Sequence, residues 1–148
     1  MTKVLIGAGC FWGIEEFYRK INGIVDTKVG YSGGNTINPT YEDVCTGTTE
    51  HAEVVKLSYD KNIIDYKTII EYFWKCHDPT QMDRQGLDVG RQYRSVIFFY
   101  NEEQKIIALE SKRLKQLDSE KTLTTEITPV KEFYLAEEYH QLFIKKRD

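Results

Sequence analysis

The sequence lacks the features that would direct it to a membrane or to nucleic acid. No apolar stretch in its 148 residues approaches the roughly 20 needed to span a bilayer. The N-terminus lacks the charged region, apolar run and cleavage site of a secretory leader. Basic residues are not in excess: 20 Lys and Arg against 23 Asp and Glu leave a net charge of −3. Neither phosphate backbones nor anionic lipids have a surface to attract them. Cysteine is scarce, and Cys10, Cys45 and Cys76 form an odd set without paired spacing. That argues against a disulfide framework and for a reduced, cytoplasmic compartment. Internal repeats and low-complexity segments are absent. What remains is 41% hydrophobic, enough for one compact domain over residues 1–148 and too short for two. Small soluble partners suit such a chain.

The stretch that organises the rest is Gly7-Ala8-Gly9-Cys10-Phe11-Trp12-Gly13. It follows an apolar run, Val4-Leu5-Ile6, and precedes an amphipathic helical pattern, so it reads as strand, tight turn and helix with a cysteine at the helix mouth. Glycines let the backbone turn sharply and a substrate approach closely. The dipole and free N–H groups of a helix N-terminus favour a thiolate, lowering a thiol pKa from about 8.5 toward 3.5–7.5. A cysteine beside apolar residues is as readily a small buried hydrophobe. Trp12 shifts the balance. At about 100° per residue, Ile14, Phe17, Tyr18 and Ile21 form the core stripe, Phe11 sits at its edge, and Trp12 points away. A large aromatic off the buried face beside a cysteine suggests the wall of a site.

Residues 3–8 read as a first strand, 11–21 as a helix and 25–31 as a second strand. A Gly-, Asn- and Thr-rich loop over 32–50 holds Tyr41 and Cys45; its length is unusual for a compact domain and suggests function. On chemistry alone Tyr41 is a surface anchor. Residues 52–59 alternate, with Glu53, Val55, Leu57 and Tyr59 on one face. Glu53 on that face has its charged form disfavoured, which suits a general acid; the alternative is a strand-end carboxylate leaning into solvent. Residues 66–77 read as a core-facing helix capped by Asp65, with Cys76 as packing, followed by a polar loop to Gln92. A buried strand over 93–100 begins with Tyr93 at the loop mouth. A charged helix runs from 101 to about 117 with Ile106, Ile107, Leu114 and Leu117 inward. A last strand covers 122–127, and His140 lies in a short helical pattern. The element order implies an α/β fold, an α+β sandwich containing a split β-α-β unit.

Gly9-Cys10-Phe11-Trp12-Gly13 resembles the signature of the type A peptide methionine sulfoxide reductases. So do Asn38-Pro39-Thr40-Tyr41 with Glu42-Asp43-Val44-Cys45, His51-Ala52-Glu53, His77-Asp78-Pro79-Thr80-Gln81, Gln92-Tyr93-Arg94-Ser95 and the segment from Phe133 to Gln141. The resemblance spans nearly the whole chain. It implies a ferredoxin-like plait with extra elements, and thiol-dependent reduction of methionine-S-sulfoxide, free or in peptides and oxidised proteins, by a monomer. Cys10 would be the nucleophile and Glu53 the acid; Tyr41 and Tyr93 would orient the oxygen, Asp88 would be a polar site residue, and Phe11 and Trp12 would hold the methyl group. Turnover would leave Cys10 as a sulfenic acid, with no bound cofactor and no metal.

Many family members carry resolving cysteines in a glycine-rich C-terminal tail, and this sequence ends at Lys145-Lys146-Arg147-Asp148 without one. An external thiol is therefore the expected reductant: thioredoxin, glutaredoxin or glutathione, or dithiothreitol in vitro. Cys45 or Cys76 reaching Cys10 is the alternative. Two further readings compete: a cysteine hydrolase using His51, His77 or His140, and a redox-sensing or metal-binding module using Cys45, His51, Cys76 and His77. Neither has a local signature.

Overall fold

Three consecutive apolar residues, Val4, Leu5 and Ile6, are fully buried, which requires a strand covered on both faces. The computed structural model, which describes residues 2–147, places them in the middle of β1 (Thr2–Ala8). Met1 and Asp148, the ends of the expected 1–148 domain, lie outside the described residues. Helix α1 (Phe11–Arg19) follows, then β2 (Ile24–Ser32), a short α2 (Tyr41–Cys45), β3 (Ala52–Tyr59) and α3 (Tyr66–Phe73). A small hairpin, β4 (Arg84–Gln85) and β5 (Asp88–Val89), precedes β6 (Ser95–Phe99) and α4 (Glu102–Leu117). The chain closes with β7 (Glu126–Pro129), β8 (Tyr134–Leu135) and α5 (Phe143–Arg147).

The main sheet runs β7-β6-β1-β3-β2-β8. Its four central strands, with α1 and α3 as crossovers, give the expected ferredoxin-like order; β7 and β8 extend the two edges. β1 is antiparallel to both β3 and β6, β2 is antiparallel to β3, and β7 is parallel to β6. Strand alternation sorts the side chains as the sequence requires. Val4, Ile6, Val55 and Leu57 face the helices, where they meet Ile14 and Tyr18 of α1 and Ile69, Ile70 and Phe73 of α3. Leu5, Val54, Val96 and Phe98 face the other way under Val130 and Phe133. The Tyr18 hydroxyl donates to the Ile69 carbonyl at 2.9 Å and ties α1 to α3.

Several expectations need correction. Ile106, Leu114 and Leu117 are 59%, 47% and 72% exposed and face outward, whereas Ile107 packs against the core as expected. The inward face holds the buried Gln104 and Ala108 with Ile107 and the part-buried Ser111 beside them. Polar tethers set this rotation: Gln104 donates to the Lys3 carbonyl, and Trp74 donates to Ser111 Oγ across the contact with α3. α3 stops at Phe73 rather than His77. The 32–50 loop contains α2, started by a capping box in which Thr40 and Asp43 satisfy each other's backbone N–H. Tyr93 ends a 3-10 turn over Arg91–Tyr93, so β6 begins two residues later, at Ser95. β7 begins at Glu126, not 122.

The topology gathers chemistry at one end of the sheet. The C-terminal end of β1 pairs there with the start of β6, Ala8 opposite Ser95, while the end of β2 lies against the start of β3, Tyr31 opposite Glu53. Gly7 permits the close approach: a Cβ there would lie 2.9 Å from Val96 Cγ1 and 3.0 Å from the Glu53 carbonyl.

Candidate active site

Cys10 is the residue immediately before the first turn of α1, reached through Gly9, whose φ of +100° belongs to glycine. It is half-buried. Glu53, 1% exposed, lies beside it. Glu53 Oε1 accepts the N–H of Phe11 at 3.2 Å, and its Oε2 accepts from Gln92 Nε2 at 2.8 Å. The first free N–H of α1 thus goes to the carboxylate, and this corrects the expectation for the thiol. Burial and then the Glu53 charge push the Cys10 pKa up to about 11, against a smaller downward pull from the N–H groups of Trp12 and Gly13. Burial raises Glu53 to about 7, partly opposed by its bonds from Gln92 and Phe11. Two acids crowd one helix mouth, and each resists ionising while the other is charged.

Two phenols flank the pair, both half-buried. Burial is the first cause raising the Tyr93 pKa, followed by the charges of Glu53 and Asp88. Burial also raises that of Tyr41, whose hydroxyl pairs with the Cys45 thiol. Both remain neutral donors. Asp88 is exposed on β5, and its charge reaches Cys10, Glu53 and Tyr93.

The aromatic wall is built by both ends of the chain. Phe11, expected at the edge of the core stripe, is 1% exposed within the core. Its ring lies 5.8 Å from Tyr31, 6.5 Å from Tyr41 and 5.1 Å from His140. Trp12 is part-buried, stacks on Phe143 of α5 at 3.9 Å, and donates through Nε1 to His140 Nδ1 at 2.9 Å. That bond leaves the proton of a neutral His140 on Nε2, which is buried without a partner. Glu137 fastens the same wall, accepting from the Tyr31 hydroxyl and from the backbone N–H of Tyr41, each at 2.9 Å.

Sequence reasoning brought together Cys10, Glu53, Tyr41 and Tyr93, with Phe11 and Trp12, and all lie at this end of the sheet. It missed Gln92, Glu137 and His140 as parts of the wall; the motif context of Gln92-Tyr93 and of the Phe133 to Gln141 segment was the available signal. Of the three histidines a hydrolase could use, two are engaged elsewhere. His51 holds Gly34 N and the Thr36 carbonyl, and His77 holds the Phe73 carbonyl and Ser95. Neither therefore has a ring nitrogen left for Cys10. Among the described residues no group of three or more His, Cys, Asp or Glu could hold a metal ion. A cavity of about 620 Å³ opens at the opposite ends of β1 and β3, beside Thr2 and Tyr59, away from this chemistry.

A sequence model of the family described as peptide methionine sulfoxide reductase matches residues 2–148. The chain belongs to that family. It is 55% identical over 149 residues to peptide methionine sulfoxide reductase MsrA of Methanosarcina mazei, covering 99% of this chain and 71% of that protein. It is 50% identical to peptide methionine sulfoxide reductase A1 of Arabidopsis thaliana, covering 95% and 69%. Among solved structures it resembles Mxr1 from Saccharomyces cerevisiae in reduced form, with a TM-score of 0.93 and 38% identity over 98% of this chain and 84% of that one. Mxr1 has also been solved in complex with Trx2, with a TM-score of 0.70 and 29% identity over 94% and 83%. The protein is thus an oxidoreductase that reduces methionine sulfoxide.

Proposed function

We propose that Cys10 and Glu53 carry out the reduction, with Tyr41 and Tyr93 orienting the sulfoxide oxygen and Phe11 and Trp12 holding the terminal methyl. A sulfoxide sulfur is a poor electrophile until its oxygen takes a proton, so a soft nucleophile and an acid must act together. The Cys10 proton passes to Glu53, and the thiolate attacks sulfur as Glu53 gives the proton to oxygen. The hydroxyl then passes from the substrate sulfur to the Cys10 sulfur as the transient sulfur–sulfur bond breaks, leaving a Cys10 sulfenic acid and methionine with no net proton taken up. Neutral phenols aimed at the oxygen stabilise its developing charge before the proton arrives. The exposed Asp88 adds to the negative field that keeps Glu53 basic enough to accept the thiol proton.

One observation carries this reading: Glu53, raised to about 7, is bonded to the backbone of the residue that follows the cysteine. A methyl pocket on one side and oxygen donors on the other fit one sulfoxide hand, assigned here to the S epimer, free or in oxidised peptides and proteins. A dithiol protein of the thioredoxin kind returns Cys10 to the thiol, supported by the solved Mxr1 complex with Trx2. Three free cysteines suit a reduced compartment such as the cytoplasm. Epimer-resolved turnover of methionine sulfoxide tests the assignment. The wild type is expected to consume the S epimer alone, and Cys10→Ser neither. Turnover retained in Cys10→Ser, or equal use of both epimers, would refute it.

A further inference from the structure

One side chain of the aromatic wall has polar atoms that packing does not explain. His140 ends a 3-10 turn over Glu138–His140 and is fully buried, its ring 5.1 Å from Phe11, 4.5 Å from Tyr41 and 4.0 Å from Tyr139. An apolar ring would fill that space, yet the imidazole leaves Nε2 buried without a partner, an arrangement that costs free energy. The gain is at Nδ1, which accepts the Trp12 indole N–H at 2.9 Å. Burial keeps the imidazole neutral, against the pull of the Glu137 charge, so Nδ1 retains the lone pair that the bond needs. The indole has a second hold. It stacks on Phe143 at 3.9 Å with 11° between the planes. A stack fixes the plane of a ring but leaves it free to rotate within that plane, and the bond to Nδ1 is what stops the rotation. The segment carrying His140 is itself anchored, because Gln141 binds both the N–H and the carbonyl of Val29 in β2.

We infer that His140 is a positioning residue for the reduction: by holding the Trp12 indole N–H it sets which edge of the indole lines the site, and so sets the size of the alkyl group accepted on the sulfoxide sulfur. The inference rests on the reading above, in which Trp12 holds the terminal methyl. Phe11, the other side of that pocket, needs no such device, since it is 1% exposed and enclosed by Tyr31, Tyr41 and His140. Trp12 is part-buried, so packing alone leaves it room to rotate. With the bond in place the pocket has one width, and a longer alkyl chain meets the indole instead of displacing it. Without the bond the indole rotates against Phe143, the pocket widens, and an ethyl group gains the room that a methyl group no longer fills. The effect falls on the choice between alkyl groups and not on the proton traffic of Cys10 and Glu53, since one ring nitrogen of His140 holds Trp12 and the other holds nothing.

The test compares two variants that divide packing from hydrogen bonding. His140→Phe keeps a ring and removes the acceptor, whereas His140→Asn gives up the ring and keeps an acceptor where Nδ1 stood. The measurement is the ratio of kcat/KM for methionine S-sulfoxide to that for ethionine S-sulfoxide, with dithiothreitol as reductant. A single methylene in an apolar pocket commands about 10–200-fold, so the ratio should fall by about tenfold in His140→Phe and stay within about twofold of the wild type in His140→Asn. An unchanged ratio in His140→Phe, equal falls in the two variants, or a larger fall in His140→Asn would overturn the inference. Trp12→Ala tests the reading beneath it: a ratio unchanged there overturns the methyl role of Trp12, whereas a ratio that drops in Trp12→Ala but not in His140→Phe overturns the role of His140 alone. The bond is also read without any substitution. In the folded, isotope-labelled wild type, the Trp12 indole nitrogen should show magnetic coupling across the hydrogen bond to His140 Nδ1, while the Trp74 indole, which donates to Ser111 Oγ, should show none. Absence of that coupling at Trp12 overturns the inference whichever variants fold.

Discussion

Replacing Glu53 with glutamine separates the electrostatic strain of the site from its chemistry. An ordinary glutamate titrates near 4.5, while Glu53 is raised to about 7 by burial. The sign follows from proton binding. Below 4.5 the carboxyl is neutral in both folded and unfolded chains and costs nothing. As pH rises the unfolded chain ionises first, so stability falls, and the loss is complete above 7. At 1.36 kcal/mol per pKa unit the full loss is about 3 kcal/mol, of which about 2.5 falls between pH 5 and pH 8.5. Glutamine cannot ionise, so Glu53→Gln should gain about 2.5 kcal/mol on the wild type over that interval. At a urea dependence of about 1–3 kcal/mol per molar, the midpoint difference changes by roughly 0.8–2.5 M. The amide has one oxygen for two donors, Phe11 N and Gln92 Nε2, and an unmet buried donor costs about 1–3 kcal/mol. That cost does not vary with pH and cancels when the two urea melts are compared at both values. A stability difference that stays constant from pH 5 to 8.5 would refute the raised carboxyl and with it the case for Glu53 as proton carrier.

The same two groups set the rate profile. The reacting state holds one proton between thiol and carboxyl, so the single-turnover rate should rise about tenfold per pH unit to about 7 and then level off toward 11. In Glu53→Gln the bend at 7 should vanish and the rate should fall by about 10²-fold or more at neutral pH. Trp12→Phe preserves the stack on Phe143 but strips the donor from the fully buried His140, which should cost about 1–3 kcal/mol in urea melts. The observed rotation of α4 separates two further variants: Leu117→Ala should change stability by less than about 0.5 kcal/mol, whereas Ala108→Leu should lose about 1–3 kcal/mol by overpacking against α3.

What the sequence disclosed was whatever depends on near neighbours in the chain. The alternation of 52–59 placed Glu53 on the helix-facing side of its strand, and the glycines around Cys10 placed the thiol at a helix mouth. The thiol's proton affinity was not legible. It is set first by burial and then by the charge of Glu53, which lies 42 positions away and is bonded to the Phe11 N–H, an arrangement no local pattern encodes. Gln92 reads as an ordinary loop residue until β3 and the loop before β6 are brought together. The face of α4 was misread in part, at Ile106, Leu114 and Leu117 though not at Ile107, for a related reason: leucines mark an inward stripe only where the neighbouring surface is apolar. Here Gln104 and Ser111 answer a strand carbonyl and an indole instead.

The aromatic wall behind Cys10 joins Trp12 to His140, 128 positions later, and α1 is pinned again where Glu15 accepts the N–H of Leu142. Gln141 completes the clasp by exchanging hydrogen bonds with Val29 in the adjoining strand. A ribosome must therefore deliver the chain through Leu142 before Cys10 has its surroundings. A nascent chain carries the cysteine early but lacks its wall, and a protease that cuts before Glu137 would remove the clasp without touching Cys10 or Glu53.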